Sequence, residues 1–170
     1  MTFINRELAP QLLKAAQQFS AVILTGARQV GKSTLVKELF PKYNYVSLDE
    51  IDTRNYAQED PRGFLKSHPY PLIIDEIQEV PELLSYVKKI IDDNRSKTGL
   101  FIITGSQQFS LMEGVQETLA GRAAVLELHS FSIHELSEYK KLDNKDWSWI
   151  VQRGSYPELW SKKSIDLQLW

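Results

Sequence analysis

Ala21-Val22-Ile23-Leu24-Thr25-Gly26-Ala27-Arg28-Gln29-Val30-Gly31-Lys32-Ser33-Thr34 is the stretch whose reading decides the fold. Its first five residues are apolar and rich in β-branching, as a buried parallel strand requires. Residues 26–34 match G-x-x-x-x-G-K-[ST], a loop that cradles phosphate, and Ser33 to Phe40 reads as a helix. Gly26 and Gly31 can take backbone angles closed to other residues. Around Ala27, Arg28, Gln29 and Val30 the N–H groups can therefore turn inward as an anion-binding nest at a helix N-terminus. Lys32 supplies a point charge for the β- and γ-phosphates, the Ser33 hydroxyl suits a bridging Mg²⁺, and Thr34 is placed for the α-phosphate. Arg28 either contacts phosphate or projects into solvent, the second being favoured.

Working outward, Glu7 to Gln18 carries Leu8, Leu12, Leu13 and Ala16 at helical spacing, so a helix is expected before the first strand. Tyr45-Val46-Ser47-Leu48 is the second strand candidate. A polar segment with Pro61 and Gly63 intervenes before Pro71-Leu72-Ile73-Ile74-Asp75-Glu76, the clearest buried strand after the first. Pro81 opens a helix whose apolar stripe is Leu83, Leu84, Val87, Ile90 and Ile91. Leu100 to Thr104, a short helix near Gln116 to Ala120, and Ala124 to Leu128 complete the series. Alternating strands and helices predict a mainly parallel sheet covered on both faces, the three-layer α/β/α arrangement of P-loop nucleotide triphosphatases.

The second anchor is Asp75-Glu76, which ends the strand after four apolar positions. Ligands of open α/β sheets bind at the carboxyl ends of strands, so Asp75 is expected to face the same crevice as Gly26 to Ser33. There it would hold Mg²⁺, usually through water, while Glu76 would orient or polarise the water that attacks the γ-phosphate. An isolated acidic pair is more often a cap or a turn; beside a phosphate loop the catalytic reading is favoured.

The 170 residues are 42% hydrophobic and 25% charged, suited to one α/β domain with a real core. A net charge of -2 offers no global attraction for DNA or anionic lipid, although a local basic patch is compatible with it, so nucleic acid stays open as a partner. Without cysteine there are no disulfides, thiol catalysis or cysteine metal sites. His68, His129 and His134 have no metal-ligand spacing, and no apolar run approaches membrane-spanning length. With no signal-peptide core, a cytoplasmic protein is the expectation. No N-K-x-D guanine reader is present, Asn144-Lys145-Asp146-Trp147 missing it by one position, so ATP is preferred to GTP.

Five segments then occur in one order: Gly26 to Thr34, Ile73 to Gln78, Ile103-Thr104-Gly105-Ser106-Gln107, Leu119-Ala120-Gly121-Arg122, and Arg153-Gly154-Ser155-Tyr156-Pro157-Glu158. Together they resemble the AAA-like ATPases of bacteria and archaea that carry a C-terminal restriction-endonuclease-like domain of unknown function. The resemblance implies an ATPase core over residues 1–138, with 139–170 forming a helical lid or the start of a truncated C-terminal region. Trp147, Trp149, Trp160 and Trp170 either complete that lid or pack against elements beyond it.

By the same resemblance, Ser106 or Gln107 stands where a polar sensor lies between the attacking water and the γ-phosphate; a helix cap is the equal alternative. Arg122 stands where an arginine finger enters a neighbouring subunit of a homo-oligomer, against the plainer reading of a surface ion pair. Ile4-Asn5-Arg6 resembles a segment that touches adenine and ribose, and Pro157 a lid proline that packs on the nucleotide. The expected function is Mg²⁺-dependent ATP binding and hydrolysis coupled to a C-terminal domain. Its competitors are a nucleotide-gated switch that binds an unknown protein partner with little turnover, and an ATP-driven protein assembled on DNA.

Overall fold

Every residue of Ala21–Thr25 is buried, because this strand lies inside the sheet with a parallel neighbour on each side. The computed structural model describes residues 3–106, 118–140 and 147–161. In chain order the elements are α1 (Ala9–Gln18), β1 (Ala21–Thr25), α2 (Lys32–Leu39), β2 (Asn44–Ser47), α3 (Ile51–Glu59), α4 (Pro61–Ser67) and β3 (Leu72–Asp75). A 3₁₀ turn (Ile77–Glu79), α5 (Leu83–Asp93), β4 (Phe101–Thr104), β5 (Ala123–Glu127), α6 (Ile133–Lys140), α7 (Trp147–Arg153) and α8 (Pro157–Ser161) follow.

The five strands are all parallel, in the order β2-β3-β4-β1-β5. Side chains alternate across a strand, and here the alternation sorts the core into two layers. Ala21, Ile23, Leu72, Ile74, Phe101 and Ile103 face Ala57, Phe64, Leu83 and Val87 of α3, α4 and α5. Val22, Leu24, Ile73 and Ile102 face Leu12, Ala16, Leu35 and Val36 of α1 and α2. This is the α/β/α sandwich with its mainly parallel sheet. Each fully buried Leu, Ile or Phe contributes roughly 1.5–3 kcal/mol by leaving water, so the two layers dominate stability.

The order places β4 between β1 and β3, which the chain alone does not announce. The ends of the phosphate-loop strand and of the Asp-Glu strand are therefore separated by the end of β4, and Thr104 to Ser106 lie between them.

Three local readings change. The second strand runs from Asn44 to Ser47, and Leu48 is buried just past it. The polar segment before β3 folds as two helices. Asp60 caps the second, accepting from the Gly63 N–H at 2.9 Å with Pro61 at the first position, while α3 buries only Ala57 and so lacks an apolar stripe to read. The helix following Pro81 begins at Leu83. Of the short helix expected near Gln116, residues 118 and 119 are helical and residues 116 and 117 lie outside the described residues.

A third apolar cluster joins Phe131, Leu136, Ile150, Leu159 and Trp160, with Ile4 packed against it. Trp160 is buried there and its Nε1 donates to the Gly154 carbonyl at 2.8 Å. The cluster draws on both sides of residue 138, and α6 spans Ile133–Lys140. Trp170 lies outside the described residues.

Candidate active site

The loop between β1 and α2 takes the backbone that its glycines allow. Gly26 has φ 146°, Gln29 φ 64° and Gly31 φ 93°. A Cβ at Gly26 would run into the Leu128 carbonyl oxygen, so this glycine also answers to the close passage of the chain leaving β5. Ala27, Arg28 and Gln29 are exposed, while Val30 is buried against the α1–α2 layer. Lys32 folds back over the loop, its Nζ donating to the Gly26 carbonyl at 3.0 Å and the Ala27 carbonyl at 2.9 Å. Burial lowers the pKa of this ammonium from its ordinary value, against the opposing pull of Glu76 and Asp75.

Asp75 is buried at the end of β3 and accepts from three hydroxyls. Ser33 Oγ donates to Oδ1 at 3.0 Å, Tyr45 Oη to Oδ2 at 2.6 Å, and Thr104 Oγ1 also to Oδ1. Burial, then the bond to Asp75, raises the Tyr45 pKa above the ordinary phenol range. Glu76 stands in left-handed backbone (φ 60°, ψ 49°), which turns the chain out of the strand direction. It lines a channel of ≈ 370 Å³ with Gln29, Gly31, Lys32, Ser33 and Thr34. Sequence reasoning placed these residues together, and the fold brings them together.

A second cavity, of ≈ 510 Å³, continues past Gly31 and Thr34. Phe3, Ile4, Phe131, Tyr139 and Trp160 make it predominantly apolar, and Arg6 and Glu38 give it charge. Pro157 borders both spaces. Asn5 is exposed and absent from these walls; Phe3 and Ile4 of the same segment form them instead.

Arg6 lines this second cavity and is also bound firmly within the protein. Its guanidinium is buried and donates to Glu135 Oε1 at 3.0 Å, the Val30 carbonyl at 2.9 Å and the His129 carbonyl at 2.6 Å, with the Phe131 ring 4.6 Å away. It ties the phosphate loop to α6 and to the segment leaving β5. Glu135 is itself fixed by a capping box with Ser132 and by the Glu7 N–H. Glu135→Ala would leave a buried, unpaired cation. It is expected to cost about 3–5 kcal/mol, roughly 10 °C in Tm for a chain of this size; a thermal melt unchanged within error would contradict this role.

Ser106, two residues past β4, donates its N–H to Gln78 Oε1 at 3.0 Å. Its buried hydroxyl has no hydrogen-bond partner among the described residues. Gln107 lies outside them. Arg122 is at the other end of the sheet: its carbonyl accepts from the Ala21 N–H, at the start of β1, whereas the phosphate loop leaves the strand's far end. A five-residue strand spans about 17 Å. Arg122 instead forms a two-point ion pair with Asp92, at 2.9 and 3.3 Å, which holds that carboxyl below its ordinary pKa. It is not part of the constellation around this chain's own loop.

A family described as an AAA domain matches residues 18–137. The chain belongs to this AAA domain family.

The AAA domain has relatives among uncharacterized proteins of Mycobacterium bovis (Mb2031c) and Mycobacterium tuberculosis (Rv2008c), each 29% identical over 167 residues. The match covers 96% of this chain and 36% of theirs, so the chain spans a little over a third of the curated relatives it matches. Among solved structures, the Walker-type ATPase PABY2304 of Pyrococcus abyssi has a TM-score of 0.58 at 15% identity, over 91% of this chain and 65% of that one. AMPPCP-bound DnaA from Aquifex aeolicus gives 0.61 at 13% identity, over 92% and 57%. At these identities the shared property is the fold, that of P-loop nucleotide triphosphatases. Family and fold together support nucleotide binding as the general function of this AAA domain. Among the described residues, no helix is long and apolar enough to cross a membrane.

Sequence reasoning passed over four groups that complete the AAA domain's site: Tyr45, Thr104, Gln78 and Glu135. Gln78 and Thr104 stood inside quoted segments, and Ser132-x-x-Glu135 is a legible capping signal. Nothing local marks Tyr45, whose hydroxyl reaches Asp75 only because β2 pairs with β3.

Proposed function

We propose that this AAA domain is the Mg²⁺-dependent, ATP-hydrolysing module of a longer cytoplasmic protein, coupled to a further C-terminal domain. The observation that carries the reading is the convergence on one channel of Lys32, Ser33 and Glu76, with the Ser33 hydroxyl on the Asp75 carboxylate. The partial coverage of the relatives supports a longer parent protein.

The Ser33 hydroxyl and the Asp75 carboxylate form a hard oxygen donor pair that suits magnesium, and among the described residues no cluster of acidic or histidine ligands offers a stronger metal site. Ser33 and Asp75 would hold the ion, which when bound neutralises charge on the β- and γ-phosphates. The loop N–H groups and Lys32 bind and orient the triphosphate; exchanging two carbonyl partners for phosphate oxygens gives Lys32 a stronger pair of acceptors. The apolar cavity bordered by Phe131 and Trp160 takes the base and ribose. Glu76 accepts a proton from the attacking water as the new oxygen–phosphorus bond forms. The bond from the γ-phosphorus to the bridging oxygen breaks, its electron pair leaves with ADP, and inorganic phosphate is released. Arg122 takes no part within the same chain; a role as an arginine finger belongs to a neighbouring copy.

Phosphate release tests this reading. ATP with magnesium is expected to give steady-state release, EDTA to abolish it, and GTP to support distinctly less. Tight ATP binding without any release would overturn the hydrolytic reading and leave a nucleotide-gated switch.

A further inference from the structure

Glu76 is held from two directions. Its backbone N–H donates to Thr104 Oγ1 on β4 at 3.3 Å, and its Oε2 accepts from Gln78 Nε2. The other end of the same amide, Gln78 Oε1, accepts from the Ser106 N–H at 3.0 Å. The direction of this bridge follows from chemistry, since a carboxylate only accepts and a backbone N–H only donates. Between the two residues, the fully buried Ile77 anchors the 3₁₀ turn in the core, so Glu76 and Gln78 share a fixed base.

We propose that Gln78 is a positioning residue for the water-activating carboxylate: its amide sets Glu76 over the phosphate channel and registers it to the end of β4. The inference rests on the hydrolytic role assigned to Glu76 above. A glutamine suits the task better than a glutamate of the same length. A second carboxylate at 78 would face both the Glu76 carboxylate and, through its other oxygen, only one donor. Two like charges at that separation repel, and a carboxylate has no N–H to offer Glu76. Displacing a catalytic group by an ångström is enough to cost about a hundredfold in rate, so the bridge need not touch substrate to govern turnover.

Gln78→Ala and Gln78→Glu in the full chain separate this role from a merely structural one. In Q78A, kcat for ATP is expected to fall about ten- to a hundredfold while the ATP Kd, by calorimetry, stays near wild type. In Q78E, which keeps the length of the side chain but as a carboxylate cannot donate to Glu76, kcat is expected to fall at least as far as in Q78A, again with the ATP Kd near wild type. Unchanged kcat in Q78A or in Q78E overturns the positioning role while leaving hydrolysis intact in the wild type. A wild-type protein that binds ATP and releases no phosphate overturns both readings together. Circular dichroism melts of the two variants report folding, and the kcat-against-Kd split of Q78E stands even where Q78A is destabilised.

Discussion

Lys32→Ala is expected to abolish measurable nucleotide binding while leaving the fold in place. The side chain is buried at the first position of α2 and already makes two charge-assisted hydrogen bonds, to the Gly26 and Ala27 carbonyls. Burial lowers its pKa, and Glu76 and Asp75 oppose that shift without cancelling it, so the desolvated cation gains most from an incoming phosphate. A hydrogen bond to a charged group is worth about 1.5–3 kcal/mol. Losing two such bonds to phosphate would weaken affinity by on the order of a hundred- to ten-thousandfold. The exposed carbonyl of Ala27 can return to water, and neither Leu35 nor Val36, which anchor α2 in the core, is altered. Isothermal titration with ATP and magnesium checks the affinity, and a melt checks the fold. Wild-type affinity in a folded K32A protein would remove the loop from the site.

Glu76→Gln is expected to lower steady-state phosphate release by about two to four orders of magnitude, with ATP affinity within a few-fold of wild type. The substitution preserves shape, and glutamine meets the same left-handed backbone demand at φ 60°. What it removes is the capacity to take a proton from water. The Gln78 amide donates to Glu76 Oε2, so the exchange also replaces a charged acceptor by a neutral one and loosens that bridge. The combined effect belongs to kcat and not to binding, because Lys32 and the loop supply the affinity. Unaltered turnover in E76Q would move the catalytic role elsewhere. Ser106, whose buried hydroxyl lacks a partner among the described residues, would be the next residue to examine.

The site was legible wherever its geometry is local. A glycine-bounded loop between an apolar strand and a helix can be recognised because the turn, the nest and the helix N-terminus are all made within nine residues. Asp75 and Glu76 were legible for a related reason, since an acidic pair at the end of a buried strand must emerge at the ligand edge of a parallel sheet. α3 and α4 were not, because a helix that buries Ala57 alone leaves no periodic stripe, although the Asp60-Pro61 cap marked where the second begins. Nothing near Arg6 in the chain announces its burial against Glu135, 129 positions away, which follows from how α6 packs.

The sequence alone determined that a phosphate loop is present, that its strand is buried, and that a carboxylate pair ends a second strand. These are properties of short segments, where backbone sterics and side-chain alternation leave few choices. Only the tertiary structure decided which strand lies between those two and which hydroxyls meet Asp75. It also decided that Arg6 braces the loop, that Arg122 lies at the far end of the sheet, and that Gln78 spans Glu76 and Ser106. Those contacts join residues some thirty to more than a hundred positions apart. Strand order and core packing bring such residues together, and neither is written in any single window of the chain.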